Sequence, residues 1–160
     1  MFDLARYLFG EVEEVYCKSN LVISLNKRES GIDDVGITTL SFQGGLIGVI
    51  SNTFLAVKNE IWMRIISESG DFFLNTIDSE PKKLIITRRE HTQIFEEEEV
   101  PNPGVKLENE TFINAVKKGD CSGIKSDYAD AVQTLRVTLA AEESASCGKP
   151  VKVPKSRPKG

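Results

Sequence analysis

The sequence has no long apolar run, no basic leader and no excess of positive charge, and each absence argues against a class of protein. No stretch approaches the roughly 20 apolar residues that a membrane-spanning helix needs. The N-terminus lacks the basic segment and apolar core of a secretory signal. The net charge of −4 argues against nucleic acid or an anionic membrane as the main partner. We therefore expect neither nucleic acid nor membrane as a partner.

Cysteine and histidine are scarce. The three cysteines, Cys17, Cys121 and Cys147, are odd in number, widely spaced and free of any CxxC pair, so we expect a reducing cytoplasm. His91, the only histidine, has no Ser, Cys or carboxylate partner suggested by spacing, which favours a solvated turn residue. Cys121 stands between Asp120 and Ser122 and is more typical of an inert loop cysteine than of a reactive thiol.

Known site signatures are also missing. The chain contains no GxGxxG, no GxxxxGK[ST] and no HExxH motif. Four consecutive glutamates occupy residues 96–99, but successive strand residues point to opposite faces, so they cannot converge on one metal ion. The pair Asp33-Asp34 precedes a strand and indicates turn chemistry. The residues alone therefore predict no catalytic, cofactor-binding or metal-binding group.

What the sequence does contain is a series of β-hairpins. In "DDVGITTLSFQGGLIGVISNTFLA", two β-rich runs flank Gly44-Gly45, a pair that suits a two-residue turn. This turn would place Leu40 opposite Val49 and Phe42 opposite Ile47.

A second hairpin, "EIWMRIISESGDFFLNTI", has Ser69-Gly70 as its predicted turn, which would place Ile65 opposite Leu74 and Ile66 opposite Phe73. Both of its faces are apolar, so helices should cover one side and another layer part of the other. The predicted faces are Met63, Ile65, Phe72 and Leu74 on one side, and Trp62, Ile66, Phe73 and Ile77 on the other. "PKKLIITRRE" and the acidic "HTQIFEEEE" add two strands, the latter at an edge.

Helical signals stand at the beginning and end of the chain. Residues 4–9 form a short apolar stretch that Asp3 can cap and Gly10 can end. The segment "VPNPGVKLEN" is predicted to be a loop, and a helix is predicted from Glu108 to Gly119 with Phe112, Ile113 and Val116 on one stripe.

A longer helix is predicted from Ser126 to Gly148, and "KPVKV" adds a last short strand. The small and apolar residues of this helix permit close packing on a sheet. They are Ala131, Leu135, Leu139 and Ala141.

The predicted fold class is α+β. We expect an open, mostly antiparallel sheet with helices packed on one face and the other face available for oligomerisation. A single domain should span residues 1–153, and the basic, Pro-rich residues 154–160 should be a disordered tail.

Four stretches together resemble the C-terminal domain of the Gfo/Idh/MocA oxidoreductases, the family of glucose–fructose oxidoreductase and inositol dehydrogenase. They are "FDLARYLFGEVEEVYC", "DDVGITTLSFQGGLIGVI", "MRIISESGDFFLNT" and "FINAVKKGDCSGIKSDYADAVQTLRVTLAAEESASCGKPVKV". The resemblance rests on their order and spacing, and together they reach from Phe2 to Val153.

The resemblance implies that a Rossmann domain, carrying the cofactor site and the catalytic Lys, Asp and His, comes ahead of the position matched by Phe2. None of those groups can be placed on a residue here, so we expect no cofactor bound by this chain alone and NAD(P) in a full-length relative. The resemblance also implies a substrate-side wall at Asp3, Arg6 and Tyr7. It implies a homo-oligomer through a sheet face, whose candidate residues are Ile37, Ile47, Val49, Trp62, Arg64 and Ile66.

The expected function is that of the substrate-side and oligomerisation domain of an NAD(P)-dependent sugar or polyol oxidoreductase, inactive in isolation because hydride transfer needs a positioned nicotinamide and base. The Rossmann half would be missing or encoded separately. The alternative is a stand-alone binding or scaffold protein that uses its sheet surface and has no redox activity.

Overall fold

The computed structural model describes residues 1–22, 33–58, 60–77, 82–97 and 103–154. They form two compact units, the first made of residues 1–55 and 124–160 and the second of residues 56–123. Two antiparallel sheets and three helices confirm the predicted α+β class. The single domain over residues 1–153 stays a prediction, and most of the predicted tail lies outside the described residues. None of the described helices is long and apolar enough to cross a membrane.

The first unit is a four-stranded antiparallel sheet with two helices, and its strand order is β3-β2-β1-β8. Its elements are α1 (Phe2–Phe9), β1 (Val12–Asn20), β2 (Val35–Phe42), β3 (Ile47–Thr53), α3 (Tyr128–Cys147) and β8 (Val151–Lys152). The predicted last strand is therefore present, paired with β1.

Helix α1 ends where the sequence indicated. Gly10 has a φ of 87° and its N–H donates to the Arg6 carbonyl, which closes the last turn. The predicted capping role of Asp3 is wrong, because Met1 is the N-cap residue and no side chain caps the helix. Asp3 lies inside the first turn instead, and its carboxylate accepts a hydrogen bond from the hydroxyl of Thr134 on α3.

The turn between β2 and β3 differs from the prediction by one residue. Phe42 accepts from the N–H of Gly45 and donates to the carbonyl of Leu46, so three residues form the loop. Both glycines in it take a positive φ, 97° and 90°, which only glycine adopts without strain. Leu40 therefore pairs with Gly48 rather than with Val49, and the predicted register is wrong by one.

The hydrophobic core of the first unit lies between α3 and one face of the sheet. Its buried residues come from β1, β2 and α3, and they are Val12, Val15, Cys17, Leu40, Phe42, Val137, Ala140 and Ala141. The packing stripe predicted for α3 is largely wrong: Leu135 and Leu139 are exposed, and of the predicted four only Ala141 is buried. The residues that α3 buries lie three or four positions apart along one face of the helix. They are Val137, Ala140, Ala141 and Ser144. Asp127 caps the helix through the Asp130 N–H, and Gly148 ends it at a φ of 69°.

The second unit contains the other sheet, with strand order β4-β5-β6-β7, and one helix. Its elements are β4 (Glu60–Ser67), β5 (Gly70–Ile77), β6 (Lys82–Arg88), β7 (His91–Glu97) and α2 (Pro103–Lys118). The edge position predicted for the acidic strand is confirmed, since β7 is outermost.

The hairpin of β4 and β5 turns one residue earlier than predicted, at Glu68-Ser69, because Ser67 pairs with Gly70. Ile65 consequently faces Phe72 instead of Leu74. This error shifts the register by two residues, and a shift of two leaves every side chain on its predicted face.

Helix α2 begins earlier than predicted. The predicted start is Glu108, but residues 103–107 are also helical, because proline fits the first helical position, where no N–H is needed. The predicted end is confirmed, since α2 stops at Lys118 before Gly119, which has a φ of 66°. Phe112, Ile113 and Val116 are all exposed.

Candidate functional site

Arg6 fixes α1 to α3 and to the start of β1. Its residue is only 7% exposed although it carries a full positive charge. The guanidinium donates to the Glu11 carboxylate from Nη2 at 2.8 Å and from Nε at 3.4 Å. It also donates to α3, at 2.9 Å to Oδ1 of Asp130, at 3.2 Å to the Asp130 carbonyl and at 2.7 Å to Oγ1 of Thr134. These five bonds match the five N–H donors of an arginine.

The charges around Arg6 are held in their ionised forms. The hydrogen bonds that Arg6 donates to the Glu11 carboxylate raise the pKa of Arg6, those to Asp130 add to this, and burial opposes it only in part. The pKa of Asp130 is lowered, first by the hydroxyl of Ser126, which donates to Oδ2 at 2.8 Å, and then by Arg6. Thr134 continues the network, because its Oγ1 accepts from Arg6 and donates to Oδ1 of Asp3 at 3.0 Å.

Of the three residues predicted for a substrate-side wall, two are exposed and one, Arg6, is buried. Asp3 is exposed and connected to Arg6 through Thr134, and Tyr7 is 69% exposed. Arg6 instead faces the junction of α1 and α3, with its donors used by protein acceptors. Asp3 and Tyr7 therefore present polar groups at the surface of α1, and Arg6 holds that helix against α3.

The outer face of the first sheet, the face away from α3, is the second candidate site. Its members follow from the strand register, and we define it as Glu14, Tyr16, Lys18, Ile37, Thr39, Ser41, Ile47, Val49 and Ser51. Three predicted interface residues lie on it, and their exposed fractions are 52% for Ile37, 71% for Ile47 and 66% for Val49. The ammonium of Lys18 lies 5.9 Å from the centre of the Tyr16 ring. Helices thus cover one face of this sheet, and the other exposes apolar side chains.

The remaining interface candidates lie together on the second sheet. Register places Trp62, Arg64 and Ile66 on one face of β4, and all three are exposed. Trp62 stacks on Phe73 with ring centres 6.3 Å apart, and Arg64 forms an ion pair with Asp71 at 2.5 Å.

Two structurally important residues were not predicted from the sequence. Ser144 is fully buried, and its hydroxyl accepts from the Cys17 N–H at 2.9 Å and donates to the Lys149 carbonyl at 2.6 Å. Asp34 is also fully buried, and its Oδ1 accepts from the Val22 N–H at 2.8 Å. The pair Asp33-Asp34 predicts turn chemistry but not the burial of Asp34, and a single serine in a helix gives no sequence signal of its own.

The described residues lack the backbone and side-chain arrangements that bind a dinucleotide or a metal ion. A dinucleotide fold binds its pyrophosphate where a parallel strand leads into a helix. Every strand pair in the described part of the chain is antiparallel, so these residues do not fit such a site. Within the same ranges no three His, Cys, Asp or Glu residues are grouped to hold a metal ion. His91 and Cys121 are both exposed.

Comparisons with known proteins agree with this antiparallel α+β architecture. The family model described as "GFO/IDH/MocA C-terminal domain" matches residues 1–73. The uncharacterized oxidoreductase YrbE of Bacillus subtilis is 27% identical over 159 residues, which are 95% of this chain and 45% of that protein. Myo-inositol 2-dehydrogenase of Thermotoga maritima is 26% identical over 167 residues, which cover 95% of this chain and 46% of that protein.

A solved structure shares the fold. Levoglucosan dehydrogenase in complex with NADH and L-sorbose matches with a TM-score of 0.78 at 21% identity, over 96% of this chain and 48% of that chain. The fold is thus one found in dehydrogenases. The resemblance predicted from the sequence is confirmed, and the chain is similar to the C-terminal domain of the Gfo/Idh/MocA oxidoreductases. It spans less than half the length of the curated relatives that it matches.

Proposed function

We propose that this chain is the substrate-side and oligomerisation domain of an NAD(P)-dependent sugar or polyol oxidoreductase and is catalytically incomplete by itself. The observation that carries the proposal is the match of nearly the whole chain to less than half of each oxidoreductase relative. One of those relatives is a myo-inositol dehydrogenase, and a structural neighbour was solved with NADH and a sugar. The cofactor would be NAD(P), bound by a separate Rossmann domain.

The substrate-side surface would be the exposed part of α1. Asp3 and Tyr7 lie one helical turn apart, which puts them on the same face of the helix. A carboxylate and a phenol can both form hydrogen bonds with the hydroxyl groups of a sugar or polyol. Arg6 would contribute indirectly, by holding α1 against α3 through the bonds described above.

Self-association would use the outer face of the first sheet. Obligate interfaces are large and apolar, and this face exposes Ile37, Ile47 and Val49 on two adjacent strands. A second copy of the chain would cover these side chains and remove them from water.

We expect Ile37→Asp to weaken self-association by at least about tenfold, or ~1.4 kcal/mol per interface, because a carboxylate would be buried against apolar surface. Ile37 lies on the inner strand β2, so the substitution leaves the outermost strand of the sheet unaltered. Light scattering across a dilution series measures the effect.

Val57→Asp is the matched control, because Val57 is a fully exposed β-branched residue outside both sheets. Its mass should equal that of the wild type. An unchanged mass for Ile37→Asp as well, or a wild-type protein that is monomeric at every concentration, would contradict the oligomerisation proposal.

The cysteines support a reducing compartment such as the cytoplasm. All three are free thiols, with Cys17 buried and the other two exposed.

A further inference from the structure

The described strands end in four sheet edges, and three of them are protected. Strand β8 is only two residues long, and the N–H of Cys17, which lies beyond its pairing with β1, is bound by Ser144. Strand β7 includes two glutamates, and β4 includes Glu60 and Arg64. Short strands and charged residues are the means by which proteins keep sheet edges from pairing with other chains.

Strand β3 has none of these protections. Its sequence, IGVISNT, contains no charged residue and no proline. It pairs with β2 over seven consecutive residues without a bulge, from Ser41 opposite Ile47 to Val35 opposite Thr53. A straight, uncharged strand at the end of a sheet presents backbone donors and acceptors that another strand can use.

Two hydrogen bonds identify which groups of β3 point outward. Phe42 donates to the carbonyl of Leu46 at one end of the hairpin, and Phe54 donates to the carbonyl of Asp34 at the other. Bonded pairs alternate with non-bonded pairs in an antiparallel ladder, so Gly48, Ile50 and Asn52 direct their N–H groups to β2. The N–H groups that point away from the sheet are those of Ile47, Val49, Ser51 and Thr53.

We propose that β3 pairs antiparallel with β3 of a second copy of this chain, about a two-fold axis at Ile50, to form one eight-stranded sheet. This register places Val49 opposite Ser51 and Ile47 opposite Thr53 of the other copy, so the outward N–H groups meet outward carbonyls. An uncharged strand brings no like charges together when it pairs with itself, and it is therefore complementary to its own copy.

The inference rests on the proposed self-association and adds a second, different contact to it. Edge pairing joins the outer faces of two copies into one larger surface that exposes Ile37, Ile47 and Val49 of each copy, and face-to-face packing of two such dimers would bury these side chains. The expected assembly is then a dimer of dimers with both kinds of interface.

The test is Ser51→Pro, with Ser51→Ala as the matched control. Proline at position 51 removes one outward N–H and leaves the bonds to β2 intact, and it is tolerated on edge strands. We expect Ser51→Pro to weaken association at least about tenfold and to reduce the wild-type mass by half in light scattering, and Ser51→Ala to leave the mass unchanged. Far-UV circular dichroism confirms folding.

Amide exchange of the wild type, measured by NMR, tests the same contact without a substitution. The N–H groups of Val49 and Ser51 should exchange more slowly as protein concentration rises, whereas those of Gly48 and Ile50 should be protected at every concentration. Concentration-independent exchange at Val49 and Ser51 would overturn the inference.

The two proposals can fail separately. If Ile37→Asp dissociates the protein while Ser51→Pro keeps the wild-type mass, edge pairing is wrong and face packing stands. If Ser51→Pro halves the mass while Ile37→Asp has no effect, edge pairing stands and face packing is wrong.

Discussion

At the scale of single residues, Arg6 joins the first helix of the chain to the last long one. A buried guanidinium is stable only when its donors are satisfied, and here the acceptors are Glu11, Asp130 and Thr134. Glu11 and Asp130 each keep about half of their side-chain surface exposed, so the network lies at the border between core and solvent.

We expect Arg6→Met to lower the free energy of unfolding by roughly 2–3 kcal/mol, because several charge-assisted hydrogen bonds are lost together. The partly exposed carboxylates would be solvated by water, which limits the loss. Urea unfolding followed by circular dichroism measures this difference.

Arg136→Met on the same long helix is the control, since Arg136 has one described hydrogen bond, to Gln133 at 3.0 Å. Its effect should be below about 1 kcal/mol. If the two variants are equally stable, Arg6 does not have the structural role assigned to it.

The sequence indicated that Arg6 was of interest but not what it binds. Glu11 is five residues away and could have been suspected as a partner, but Asp130 and Thr134 are 124 and 128 residues distant. Such pairs depend on how α1 docks on α3. The hydrogen bond of Ser144 could not be predicted for the same reason, because its partner Cys17 on β1 is 127 residues away.

At the scale of elements, the strands of the hairpins could be predicted, and their registers could not. Alternating β-rich residues and glycines at the turns located both hairpins correctly. Gly44 and Gly45 allow loops of two or three residues, and the choice between them shifts every pair in the ladder. The early start of α2 was missed because Pro103 and Gly104 were interpreted as loop residues, although proline fits a first helical turn.

The junction of α1 and α3 gives a pH dependence whose sign follows from Asp130. Its folded-state pKa lies below the unfolded value, so its contribution to stability is complete above about pH 4 and is lost as the pH falls further. In the Asp130→Asn variant, the side-chain amide at this position does not titrate. The stability difference between wild type and Asp130→Asn should be constant from about pH 5 to 8 and shrink below about pH 4.

Urea unfolding at a series of pH values measures this difference. The Arg6 charge does not change over this range, because its pKa is raised and arginine is already protonated. A difference that grows on acidification would show that the carboxylate of Asp130 does not favour the folded state.

At the scale of the whole molecule, the α+β class could be predicted because antiparallel hairpins are local and each one leaves its own pattern in the sequence. The division of the strands into two four-stranded sheets could not, because both hairpins carry apolar residues on each face and nothing local separates them. The resemblance to the oxidoreductase family rests on four short stretches. Their order along the chain carries more information than any one stretch does.

The central claim is that this chain supplies the substrate-side fold and leaves cofactor binding to another domain. Calorimetric titration of the chain with NADH tests it most directly. We predict no saturable heat, which corresponds to a Kd above about 1 mM. Saturable binding with a Kd near 1 μM would contradict the account, because the antiparallel sheets described here would then have to contain a dinucleotide site.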